Sequence, residues 1–319
     1  QNGVRGGSGT VHFPIWHQEI EDILVLKNNK GTEDNRVRKL DYSIQITKLF
    51  YERFMNDEDI TLFSPHEVPG LYDAFGTDKF DALYKKYEKD SSVNKKTIPA
   101  QDLFSDLLKE RAETGRIYIM NLDHCNSHSS FKDKVSMSNL CQEITLPTTP
   151  ISSIDDSQGE IALCILSAIN VGQLNNLDDL ENLCELTVRA LEEIIEYQDY
   201  PVLAAELSTK SRRSLGIGYI GLAHYLAKQG HKYHDKGAWD SVDRLSEAFQ
   251  FYLLKASNKI AQEKGACEGF KQTKYADGLL PIDHYKKDVD KIVPHKQRMA
   301  WESLRKDIAK HGLRHSTLS

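Results

Sequence analysis

SNLCQEITLPT, residues 138–148, is the stretch that decides how this chain folds and what it does. EITLPT, residues 143–148, reads as a strand. Asn139, Cys141 and Glu143 stand at alternate positions. In an extended segment alternate side chains leave the same face, roughly 6–7 Å apart. An amide, a thiol and a carboxylate would then converge on one small ligand. That trio suits chemistry on vicinal hydroxyls. The carboxylate accepts a hydroxyl proton, the amide fixes orientation, and the thiol supplies a reactive sulfur. The competing reading makes Cys141 a buried strand cysteine, because free cysteine is among the most buried residue types. Cys-x-Glu alone is a weak signal.

Downstream, EIALCILSAIN (160–170) reads as a second strand beyond a loop rich in Ser and Asp, and it carries Cys164. Upstream lie a polar loop (121–138), a buried strand IYIM (117–120) and a helix over 101–113 that ends at Gly115. Leu40, Ile44, Phe50 and Phe54 recur at helical spacing and predict one helix over 37–55. ITLFSP (60–65) reads as a short strand stopped by proline, and Trp16–Leu26 as a short amphipathic helix. Beyond the two cysteine strands, helices are expected over 176–197, 217–229, 238–263 and 298–311. Gly230, Gly265 and Gly312 stop the last three. Strands separated by long helices indicate an α/β protein with parallel pairing. Strand spacing alone does not separate an open sheet from a barrel.

The 319 residues suffice for a large buried core. Lys and Arg total 41 against 47 Asp and Glu, for a formal net charge of -6, and no long basic stripe invites nucleic acid. No apolar run approaches the length of a bilayer span, so no membrane partner is expected. Five cysteines are few and odd in number for this length, which argues against a disulfide framework and for a reducing cytoplasm. Gln1 and the Gly-rich opening, with the abrupt STLS ending, read as the cut ends of a longer protein.

The wording of the whole stretch narrows the choice. SNLCQEITLPT, followed by the cysteine of GEIALCILSAIN, resembles the large subunit of class I ribonucleotide reductases. The resemblance extends over the entire chain through NGVRGGSGTVHFPIWH, VLKNNKG, NRVRKLDYSIQI, ITLFSPHEVPGLYDAF, TGRIYIMNLDHCNSHS, VRALEEIIEYQDYP, RRSLGIGYIGLAHYLA and HGLRHSTLS. It is most similar to the class Ia branch of bacteria and their phages.

The resemblance implies that residues 1–319 are part of a ten-stranded α/β barrel, with Cys141 at the tip of a central finger loop. It implies that Cys141 becomes a thiyl radical and abstracts the 3′ hydrogen of a ribonucleoside diphosphate. Glu143 would take the 3′-hydroxyl proton and Asn139 would hydrogen-bond the substrate. Cys164 would be half of a redox-active pair whose partner cysteine lies upstream of residue 1. Arg5, in NGVRGG, resembles the arginine of a mobile loop between effector and substrate, although Asn2 and Ser8 stand where the family pattern has Gly and Ala. No cofactor is expected on this chain itself. A small subunit with a diiron-tyrosyl radical, dNTP and ATP effectors, a second large subunit, and thioredoxin or glutaredoxin are the implied partners. With the partner cysteine, the phosphate-binding segment and the radical-relay tyrosines expected elsewhere, the chain alone is expected to reduce nothing. The adenosylcobalamin-dependent class shares Asn-x-Cys-x-Glu and remains open, as does a fragment active only with complementary pieces.

Other motifs carry less. GIGYIG (216–221) fits G-x-G-x-x-G, and so a nicotinamide-dependent oxidoreductase, but STKSRRSL before it is too charged for a buried strand. Close backbone packing at a helix start is the preferred role. HCNSH (124–128) lacks a second ligand pair for zinc. Cys184 falls on the apolar face of its helix, and Cys267 follows a helix stop as a spectator.

Overall fold

The computed structural model describes residues 6–285, 287–293 and 296–318. It divides into two compact units, Gln1–Ser129 with Lys134–Leu146, and Ser130–Asp133 with Pro147–Ser319.

The first unit runs β1 (Thr10–Pro14), α1 (Ile20–Leu24), β2 (Asp41–Ile46), α2 (Lys48–Met55), β3 (Asp59–Phe63), α3 (Leu71–Ala74), α4 (Phe80–Lys89), β4 (Lys95–Pro99), α5 (Ala100–Thr114), β5 (Ile117–Asn121) and α6 (Leu122–His128). Strands β1, β2 and β5 form a parallel sheet with β2 in the middle, and β3 pairs antiparallel with β4. Every residue of β2 is buried. Its sequence DYSIQI alternates, so Tyr42, Ile44 and Ile46 take one face and Asp41, Ser43 and Gln45 the other. Ile44 and Ile46 join a core with Trp16, Phe50, Phe75, Phe80 and Tyr84. Those rings meet edge to face or tilted; Phe50 meets Tyr84 edge to face at 5.4 Å between centroids.

One long helix over 37–55 is therefore not what forms. Leu40, Ile44, Phe50 and Phe54 mimicked a single helical period, while Asp41–Ile46 obeys period two. Thr47, extended at φ -122° and ψ 168°, separates strand from helix. The loop expected over 121–138 also contains α6.

The second unit carries β6 (Ile165–Asn170), α7 (Asp179–Tyr197), α8 (Leu203–Arg212), β7 (Leu215–Ile220), α9 (Leu222–Lys228), α10 (Lys236–Lys264) and α11 (Trp301–His311). Strands β6 and β7 are parallel, with α7 and α8 in the crossover between them. Leu180, Cys184, Val188, Leu191 and Ile195, at helical spacing on α7, enter one core with Leu245, Leu254, Ile260 and Trp301. Cys184 is thus a core residue, its thiol pushed up to about 12 by burial and by the nearby Glu181 charge. Cys267 is also buried.

The expected helix over 217–229 is in fact β7 followed by the short α9. The strand expected over 160–170 is regular only from Ile165. Thr149 and Glu160 exchange backbone hydrogen bonds of 3.2 and 2.9 Å and close the intervening loop. Among the described residues the strands form a three-stranded and two two-stranded sheets, and no pairing closes a barrel.

A buried ionic cluster pins α7 to the chain's last described residues. Glu192 is 1% exposed. It accepts hydrogen bonds from Arg213 (2.9 Å), Arg314 (2.8 Å) and His315 Nε2 (3.1 Å). Burial alone would raise the Glu192 carboxyl, but the bonds from His315 and Arg314 and the Arg213 charge outweigh it and hold it at about 2. Burial lowers His315 and favours the neutral ring, despite Glu192. The Ser257 hydroxyl then donates to Nδ1 at 2.9 Å, leaving Nε2–H for Glu192.

Candidate active site

The polar face of the β1–β2 pair is largely covered, fully on β2 and in part on β1. Thr10 and His12 on β1 share a face with Ser43 and Gln45 on β2, following the register Thr10↔Asp41 and His12↔Ser43. Ser43 and Gln45 are fully buried. These side chains bond to the segment 136–144, which the sheet therefore cradles. Gln45 Nε2 donates to the Ser136 carbonyl at 2.6 Å. His12 Nε2 lies 3.0 Å from the Ser138 carbonyl. Thr10 Oγ1 donates to the Leu140 carbonyl at 2.8 Å. Ser43 Oγ donates to Gln142 Oε1 at 3.0 Å.

A carbonyl can only accept, so the His12 proton belongs on Nε2. Burial lowers the His12 pKa, and the bond to Ser138 offsets this in part. Its Nδ1 and the Gln45 Oε1 are buried with no hydrogen-bond partner among the described residues.

The segment itself is a tight turn, not the expected strand. The Gln142 N–H bonds to the Asn139 carbonyl at 3.3 Å, and the Asn139 N–H to the Ile144 carbonyl at 3.3 Å. Gln142 adopts φ 71°, a left-handed conformation uncommon outside glycine. Asn139 Oδ1 accepts from the Ile144 N–H at 3.0 Å, and Ser138 Oγ donates to the Ile144 carbonyl at 2.5 Å. Local side-chain bonds of this kind compete with strand pairing and win here. Asn139, Cys141 and Glu143 therefore do not share the face of a strand.

All three do lie on this one turn. Cys141 and Glu143 are exposed, and Asn139 is half-buried. Because Asn139 Oδ1 closes the turn, its NH2 group is the part left to donate to a ligand. The expected interior position of Cys141 does not hold in this chain, where the thiol sits at the tip of the turn in solvent. Turning the backbone at Gln142 is what lifts it off the sheet.

Cys164 belongs to the second unit, half-buried on the residue before β6. Parity places it on the strand face of Leu166, Ala168 and Asn170, opposite Gly216 and Gly218 of β7. Arg5 lies outside the described residues.

GIGYIG is not a dinucleotide fingerprint. Gly216 and Gly218 lie within β7, whereas a fingerprint places its glycines in the turn after a strand. Gly221 does provide close packing at a helix start. It precedes α9 with φ 77°, and a Cβ there would stand 2.4 Å from Asn170 Oδ1. Among the described residues no group of three His, Cys, Asp or Glu could hold a metal ion. Among the described residues no helix is long and apolar enough to cross a membrane.

The sequence reading missed Thr10, His12, Ser43 and Gln45. The signal was present in DYSIQI, whose strict alternation marks a strand with a polar face. Burial of that face required a cover, and the cover is the cysteine turn.

Fold and site together define an α/β protein whose polar sheet face carries a thiol-bearing turn. The model of the family described as ribonucleotide reductase, barrel domain, matches residues 1–319, and the chain belongs to that family. It is 56% identical to the ribonucleoside-diphosphate reductase subunit alpha of Haemophilus influenzae, over all of this chain and 43% of that protein. The ribonucleoside-diphosphate reductase 1 subunit alpha of Escherichia coli is also 56% identical, over all of this chain and 43% of that protein. The subunit alpha of Enterobacteria phage T4 is 44% identical over the same shares. The chain therefore spans 43% of the length of these relatives.

Proposed function

We propose that this chain supplies the radical-bearing part of a class Ia ribonucleoside-diphosphate reductase large subunit. The observation that carries the reading is the turn 138–144, which presents Cys141 beside Asn139 and Glu143 in a chain matched throughout to the reductase barrel domain. In the complete assembly the sheets would join a ten-stranded barrel, and the remaining chain would cover the turn.

Cys141, as a thiyl radical, would take the 3′ hydrogen of a ribonucleoside diphosphate. Glu143 would accept the 3′-hydroxyl proton, and the Asn139 NH2 would hold the substrate. A radical beside the departing 2′-hydroxyl, with a base on its neighbour, eases loss of that group as water. Cys164 and an upstream cysteine would supply two electrons and end as a disulfide. Excluding water and stray reductants protects the radical. Arg5 would report effector occupancy to the substrate. The diiron-tyrosyl radical would come from a small subunit. A second large subunit, dNTP and ATP effectors, and thioredoxin or glutaredoxin complete the assembly, in a reducing cytoplasm.

The test is a chimera in which this chain replaces the matching stretch of the Escherichia coli subunit alpha. Mixed with its small subunit and thioredoxin, the chimera should form deoxyribonucleoside diphosphate, and the isolated chain should form none. An inactive chimera that folds and binds its small subunit would count against the reading. Dependence on cobalamin instead of a small subunit would move the chain to the other class.

A further inference from the structure

The cysteine is bracketed on both sides by the sheet. The peptide group that joins Leu140 to Cys141 is held from β1, where Thr10 Oγ1 donates to the Leu140 carbonyl at 2.8 Å. The residue after it is held from β2, where Ser43 Oγ donates to Gln142 Oε1 at 3.0 Å. Gln142 Nε2 also donates back to the Asn139 carbonyl at 3.2 Å, so its side chain bridges sheet and turn. The φ of 71° at Gln142 has an energetic cost for a residue with a side chain. Anchoring that side chain on Ser43 offsets the cost.

Thr10 and Ser43 stand on neighbouring, hydrogen-bonded strands, and Ser43 is fully buried on the central one. Two fixed points on a rigid sheet, one before and one after the thiol, determine where Sγ can go. A turn held only by its own bonds would rock about its base.

We infer that Thr10 and Ser43 are positioning residues for Cys141. They hold its turn in place from two strands, and touch neither the sulfur nor the substrate. This inference deepens the proposed function, but its structural half stands apart from it. A thiyl radical must meet one hydrogen atom at close range, and displacement of a reacting group by about 1 Å can lower a rate roughly a hundredfold.

The experiment attaches a nitroxide spin label to Cys141 in the full chain, with Cys125 and Cys164 replaced by serine. Thr10→Val removes the hydroxyl at nearly constant shape, Ser43→Ala removes the other anchor, and Thr10→Ser retains the bond. The parent spectrum should show a restricted label. Either anchor variant should narrow the lines, the double variant most, and Thr10→Ser should restore the parent spectrum with the melting temperature held. Unchanged spectra in a folded double variant would overturn the inference.

In the chimera, Thr10→Val and Ser43→Ala should lower kcat roughly ten- to a hundredfold with KM retained. Thr10→Ser should recover most of that loss. Parent-like kcat in both variants would overturn the positioning role. A label that responds in a chain whose parent chimera is inactive would support the positioning and sink the proposed activity instead.

Discussion

The two parallel sheets of this chain treat their second faces in opposite ways. In the first unit the face bearing Thr10, His12, Ser43 and Gln45 is polar, yet Ser43 and Gln45 are fully buried under the cysteine turn. In the second unit the corresponding face of β6 and β7 is apolar or small apart from Asn170 at its end. It is largely uncovered, with Leu166 57% and Ile220 55% exposed. Parallel strands are usually covered on both faces. A polar face can be covered by irregular backbone, because its donors satisfy the carbonyls that a turn leaves unpaired. An apolar face can bond to none of them, so it must be covered by apolar surface. The chain supplies the first kind of cover from its own sequence. The difference shows how a turn that carries a thiol can be held: by hydrogen bonds of fixed direction, where apolar packing alone tolerates sliding.

The comparison is sharpened first by what anchors the second unit in the absence of such bonds. Glu192→Gln leaves buried Arg213 and half-buried Arg314 beside a neutral amide, and should cost about 3–5 kcal/mol. Hydrogen exchange should quicken in α7 and in residues 311–318, while the first unit stays protected. Acid should act in the same place. The Glu192 carboxyl is lowered from its ordinary 4.5 to about 2 in the folded chain. Its contribution is complete above 4.5, declines as pH falls, and is lost below about 2. Unfolding curves at pH 6 and pH 3 should therefore differ more for the parent than for Glu192→Gln, in which only the other lowered carboxylates, such as Glu185 and Glu247, respond.

Gln45→Ala probes the covered face. It removes the donor to Ser136 and leaves space under the turn, which should cost about 1–3 kcal/mol in a thermal melt. The loss should appear as faster exchange in residues 136–144. Leu166→Ser probes the uncovered face and should change stability by no more than about 0.5 kcal/mol, because the side chain is already in solvent. A large loss there would mean that the face is covered after all, and would break the contrast.

Much of this was legible in the sequence, and each failure has a physical cause. Helices with long apolar stripes, such as α7 and α10, emerged close to the expected bounds because 3.6-residue periodicity over many turns is hard to mimic. Asp41–Ile46 was mistaken for helix because Leu40, Ile44, Phe50 and Phe54 keep helical spacing across it, and that longer pattern outweighed the short alternation of DYSIQI. EITLPT was mistaken for a strand because its β-branched residues outweighed Asn139 and Ser138, whose side chains close a turn. The wording of the sequence singled out Cys141, Glu143 and Asn139 as candidates, but not the turn that arranges them. Thr10 and Ser43 lie 130 and 99 positions from the turn residues they bond, and only the parallel register brings them together there.

Replacing Cys141 by serine in the chimeric reductase tests most directly whether this turn carries the chemistry. The exchange alters one exposed atom, so melting temperature and small-subunit binding should match the parent, while formation of deoxyribonucleoside diphosphate should vanish. Product formed at the parent rate by the serine variant would contradict the assignment of this thiol.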